Sequence, residues 1–126
     1  MKTLDEKAIR TLSKLLALRE PIDCEINGNP CKVCAQVLHD FGLYRIIHLI
    51  FYTYQDDWQF REPEIAIIHN TDTDEYIPSN ICYDMERIAS NSANIYNGQL
   101  TVLNDKVQSD HTEIANNFLH SLEEQL

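Results

Sequence analysis

Apolar positions recur at helical spacing at both ends of the chain and at strand-like spacing between them. Leu4, Ala8, Ile9, Leu12, Leu15 and Leu16 fall on one helical face. Glu20-Pro21 stops that pattern, because the residue before a proline is driven out of the helical region. Thr3 followed by Glu6 fits a capping box, so a helix is expected near 3–19. At the far end Asp110 and Glu113 repeat the box. Ile114, Phe118, Leu122 and Leu126 then form a second stripe, predicting a helix near 110–125.

The middle of the chain reads as sheet. Asn27-Gly28 and Asn97-Gly98 fit two-residue hairpin turns, which need positive φ at both central positions. Residues 43–54, "LYRIIHLIFYTY", are apolar on both alternating faces, which predicts a central strand covered on both sides. Residues 65–69 make a neighbour. Residues 76–83 make another, with Pro78 at its start or on an edge. No internal repeat, low-complexity segment or linker divides the chain. The expectation is an α+β fold with 1–126 as one domain, an antiparallel sheet flanked by an N-terminal and a C-terminal amphipathic helix.

Composition narrows the function. At 126 residues and 44% apolar, the chain can bury a core without staples. No run of eighteen apolar residues occurs and the start, "MKTLDEKAIR", is polar, so the reading is cytoplasmic with no membrane contact. Ten bases against twenty acids give a charge of −10. That argues against direct binding to a nucleic-acid backbone, whose affinity comes from Lys and Arg on phosphates. The charge is also uneven. Residues 1–20 hold five bases and three acids, leaving five bases against seventeen acids in the rest. The densest stretch, 56–75, carries Asp56, Asp57, Glu62, Glu64, Asp72, Asp74 and Glu75 against Arg61 alone, with Trp58 inside it. Its ordinary reading is a solvated face with two polar loops. Its functional reading is a docking surface.

The cysteines invite comparison with a metal or redox site. On a strand, Cys31 and Cys34 point to opposite faces, and Lys32-Val33 between them offers no turn. The Asn27-Gly28 turn instead sets 26 against 29, 25 against 30 and 24 against 31, which makes Cys24 and Cys31 the better-placed pair. That register puts Pro30 in a non-hydrogen-bonded pair, where its missing N–H costs nothing. A closed zinc site wants four converging ligands. Four cysteines without a secretory signal read as free, mostly buried thiols, and no metal or cofactor is expected. His39, His48, His69, His111 and His120 show no metal spacing, and His48 reads as a core or interface residue. "TDTDEY" lacks the glycine and the bidentate glutamate of a calcium loop. Three glycines build no phosphate cradle.

Two segments, "YQDDWQFREPEIAI" and "DHTEIANNFLHSLEEQ", carry a resemblance. Gln55, Arg61, Glu62-Pro63-Glu64, Ala115-Asn116 and Phe118 match, with Pro78 and Asp84, over roughly residues 30–126. The chain resembles a bacterial and phage domain-of-unknown-function family carried on mobile elements. That family's turn continues Asn-Gly-Asp after the glutamine, where this chain has Asp56-Asp57-Trp58. The resemblance implies an accessory gene of a phage or mobile element and carries no established activity.

The leading expectation is therefore a small, acidic, non-enzymatic binding protein. It would antagonise a host defence system by meeting a basic nucleic-acid-handling protein through the 56–75 surface. A second expectation, from another class, is a module that sequesters a small ligand or nucleotide in a basic pocket around Arg45, Arg61 or Arg87. An enzyme ranks third. The sequence leaves the oligomeric state open, a homodimer included.

Overall fold

The computed structural model describes residues 1–126, in which two helices bracket eight strands. The first helix, α1 (Glu6–Leu16), is capped by Asp5, whose carboxylate accepts the Ala8 N–H at 2.8 Å. The expected Thr3–Glu6 box does not form. Leu4 instead donates its N–H to the Tyr76 carbonyl at 2.9 Å, and the helix begins after it. The second helix, α2 (Asp105–Leu122), is capped by Asn104, which accepts the Val107 N–H at 3.0 Å. It thus starts ahead of the expected Asp110. Its first turns bury Gln108, His111 and Thr112, polar residues that interrupt the apolar stripe. A short 3-10 turn, Glu123–Gln125, follows it.

Six strands form one antiparallel meander in chain order. They are β1 (Ile22–Ile26), β2 (Asn29–Asp40), β3 (Tyr44–Gln55), β4 (Trp58–Asn70), β5 (Glu75–Tyr83) and β6 (Ile88–Asn91). A separate hairpin follows, β7 (Ala93–Tyr96) with β8 (Gln99–Val102). Both Asn-Gly turns are present, with φ of 53° and 80° at Asn27 and Gly28 and 50° and 75° at Asn97 and Gly98. These are values that asparagine and glycine tolerate best. The first turn fixes the expected register, Cys24 opposite Cys31 and Glu25 opposite Pro30. Glu25 turns its N–H and carbonyl away from β2, and both are taken by the Gln125 side chain. Pro78 sits past the start of β5, at a position that β6 does not pair with, so it lies on a local edge. The ladder is irregular around it: pairing with β4 shifts between Ala66 and Ile67, and β6 reaches only Asn80–Tyr83.

Alternation splits the sheet into two unlike faces. On one, Val33, Ile47, Leu49, Phe51, Ile65 and Ile67 pack against Leu12, Leu15, Ala115, Leu119 and Leu122 of the helices, forming the main core. On the other, a small cluster of Ile68, Ile77 and Ala93 is covered by β7–β8. The rest of that face stays uncovered, with Ile46, His48 and Tyr52 half-buried. The strand expected to be covered on both sides is therefore covered fully on one.

The thiol expectation also changes. Cys24 and Cys31 are joined as a disulfide, leaving Cys34 and Cys82 free. Their Cα atoms lie 5.2 Å apart, within the range a bridge requires. The register anticipated from the turn makes them direct cross-strand partners.

Candidate functional site

The acidic stretch does not form one surface. Asp56 and Asp57 make the turn between β3 and β4, while Asp72, Asp74 and Glu75 lie at the turn between β4 and β5. The thirteen residues of β4 separate these turns, a distance of about 40 Å at the rise of an extended strand. Glu62 and Glu64 lie between them and part company. Glu62 accepts the Met85 N–H and lines a recess with Phe51 and Phe118 on the helix side, whereas Glu64 lines a cleft on the open face.

At the first turn the chain builds a projecting arm. Asp56 adopts φ 54° in the turn, and the arm is closed by the pairs Gln55–Trp58, Tyr54–Gln59 and Thr53–Phe60. The pairing of β2 with β3 stops at Tyr52, and that of β5 with β4 begins at Glu64. The arm therefore pairs only with itself. Trp58 is 73% exposed and Tyr54 52% exposed at its tip. Gln59 Nε2 donates to the Tyr54 hydroxyl at 3.0 Å, so the two strands are also joined through side chains. Asp56 and Asp57 complete the tip, and both are exposed.

The three arginines make no common pocket. Arg45 donates to His69 Nδ1, and His69 Nε2–H in turn donates to Asp74 at 2.7 Å, with the buried ring stacked on Tyr76. Arg87 is exposed in the turn between β5 and β6, at φ 54°. Arg61 is held by two carboxylates, bidentate to Asp84 at 3.1 Å and bonded to Glu64 at 2.5 Å. Those hydrogen bonds hold the Asp84 carboxyl below the usual range and raise the guanidinium further. Glu64 also receives His48 Nδ1 at 2.9 Å. An ionised carboxylate only accepts, so His48 carries a hydrogen on Nδ1, and in the neutral ring Nε2 is then an open acceptor.

The open face holds a mainly apolar recess. It has a volume of about 400 Å³ and is lined on its floor by Ile46, His48, Glu64, Ala66, Ile68 and Asn80. His39 and Phe41, stacked at 6.0 Å, form one wall, and Ala93, Asn94 and Ile95 of β7 form another. No Lys or Arg lines it. Beside it, burial pushes the Cys34 thiol and the Tyr52 hydroxyl above their usual ranges. No nucleophile stands at hydrogen-bond distance from His48 Nε2, and no group of three or more His, Cys, Asp and Glu is placed to share a metal ion.

Sequence reasoning placed Trp58 among carboxylates but not on an arm, and it missed the His48–Glu64–Arg61–Asp84 chain altogether. The pairing of β3 with β4 is the signal that would have found it. His48 and Glu64 fall on neighbouring rows of one face once that register is drawn. No helix is long and apolar enough to cross a membrane. Comparison of the chain with protein-family models, with curated proteins and with solved structures yields no match.

Proposed function

We propose that this chain is a small, cytosolic, non-enzymatic binding protein of a phage or other mobile element. It engages a basic, nucleic-acid-handling host protein and covers that protein's phosphate-binding surface. The observation that carries this reading is Trp58, 73% exposed on an arm whose turn is Asp56-Asp57. A large aromatic left in water costs solubility, and such residues are frequent anchors of binding energy. Carboxylates around it speed encounter with a basic partner and set its orientation. The net charge of −10 adds a long-range pull of the same sign. Asp72, Asp74 and Glu75, at the opposite end of β4, lie outside this contact and steer at most.

The reading is tested by affinity capture from bacterial lysate with three baits: wild type, Trp58→Ala, and Asp56→Lys with Asp57→Lys. A basic protein should be retained by the wild type, lost from both variants and released by salt. Retention of the same proteins by all three baits would sink the assignment of the arm.

A further inference from the structure

The cross-strand rows on the open face give the cleft a defined chemistry. Its middle row runs Gln36, His48, Ala66, Asn80 and Asn91 across β2 to β6 by direct register. Ile46, Ile68 and Ile77 form the row on one side, and Ile50, Glu64 and Cys82 the row on the other. Ala66 is thus a single methyl between two bulkier rows, and it is left half-exposed. The result is a trough one side chain deep, with an isoleucine flank on one side, Glu64 and Cys82 on the other, and hydrogen-bonding groups at its two ends. His48 and Asn80 stand two strand spacings apart across Ala66, about 10 Å between backbones.

Those end groups are free to hydrogen-bond a ligand. In the neutral ring His48 Nε2 is an acceptor, because Glu64 holds the hydrogen on Nδ1. Asn80 and Asn94 each present an amide that both donates and accepts. The single charged group in the lining, Glu64, has both oxygens engaged, one by His48 and one by Arg61, and Arg61 is closed off in turn by Asp84. No Lys or Arg lines the cleft to neutralise a phosphate, and the protein's own charge repels one. The volume of about 400 Å³ and the mainly apolar lining are those of a small-molecule site.

We propose that this trough binds a neutral nucleobase, presented as an unphosphorylated nucleoside. The flat ring lies on Ala66 between Ile68 and Glu64, an N–H of one edge donates to His48 Nε2, and the Asn80 amide pairs with a donor and acceptor on the opposite edge. The site is independent of the Trp58 arm, so either can fail without the other.

Amide NMR titration tests it, with adenosine, guanosine, cytidine and uridine as probes beside their 5′-monophosphates and hexanoate. At least one nucleoside should produce saturable shifts in residues 46–48, 66–68, 79–82 and 93–95, with Trp58 unmoved. Its monophosphate should bind at least about tenfold more weakly, and Ala66→Leu, which fills the floor, should weaken the nucleoside by a similar factor. Should Ala66→Leu not fold, Asn80→Ala takes its place with the same expected loss. The proposal is overturned if no nucleoside saturates, if a monophosphate or hexanoate binds more tightly, or if a folded trough variant binds as wild type does.

Discussion

Gln108 holds the backbone of Lys2 from both sides. Its Oε1 accepts the Lys2 N–H at 2.8 Å, and its Nε2 donates to the Lys2 carbonyl at 2.8 Å. The same amide nitrogen reaches the Pro78 carbonyl and the Thr112 hydroxyl, and the side chain is completely buried. One glutamine thus ties the start of the chain to β5 and α2. Gln108→Leu keeps much of the volume and strands those backbone groups, so it should cost about 2–4 kcal/mol in urea unfolding. Gln125→Ala breaks a similar two-bond clasp on Glu25, but an exposed one, and should cost less than about 1 kcal/mol because water replaces the amide.

His111 should set the response to mild acid. It is buried between two serines: Ser92 gives its hydrogen to the Ser79 carbonyl, so His111 Nδ1–H donates to Ser92 Oγ, and Ser90 donates to Nε2. Burial pushes its pKa below the ordinary 6.5. As pH falls below 6.5 the unfolded chain takes up the proton first, so stability present above that value declines until the folded ring also protonates. Wild type should therefore lose more stability than His111→Gln between about pH 7 and about pH 5. Parallel curves for the two proteins would refute it. Asp84 and Asp5 act in a lower window. Arg61 lowers the first, and in the second the His120 and Ala8 hydrogen bonds outweigh burial. Both contribute above the ordinary carboxyl value of 3.8 and lose that contribution as pH falls further.

The thiol count is a direct chemical check. Denatured without reductant, the chain should titrate two thiols, Cys34 and Cys82, and four after reduction. Reduction should cost at most about 2 kcal/mol, because the loop closed is short and the Asn27-Gly28 turn already brings its ends together. Four thiols in the unreduced chain would show that the cross-strand pair is not bonded.

Local signals were legible where one turn or one alternation decides the outcome. Asn27-Gly28 fixed the partner of Cys24, and the double-sided run 43–54 is indeed an inner strand. Helix starts were misread where tertiary contacts outvote the capping pattern. Asp110 looks like a cap because Gln108, His111 and Thr112 hide the buried face of the first turns behind polar side chains. Each of those three is satisfied by a partner distant in sequence, which no periodicity reveals. The acidic run 56–75 misled for a related reason: charge density along a chain says nothing about a strand that carries its two halves to opposite ends of a sheet.

The arm should be dispensable for folding. Trp58→Ala should change stability by less than about 0.5 kcal/mol, since the side chain touches little of the core. Asp56→Lys with Asp57→Lys should be similarly mild, although it reverses the charge of the tip. Against a captured partner, the first should mainly speed dissociation, and the second should slow association and flatten its salt dependence. A loss of several kcal/mol in Trp58→Ala would mean that the indole packs on the sheet and is no docking group.

Because the chain has a single tryptophan, labelling with 5-fluorotryptophan gives one fluorine resonance, and that resonance reports on the arm alone. The decisive measurement is its spectrum in the presence of the heparin-binding protein fraction of a bacterial lysate, with the unretained fraction as control. The account predicts a shift or broadening with the basic fraction, reversed by added salt and absent in the Asp56→Lys, Asp57→Lys protein. An unchanged resonance under conditions where wild-type bait visibly retains a basic protein would contradict it.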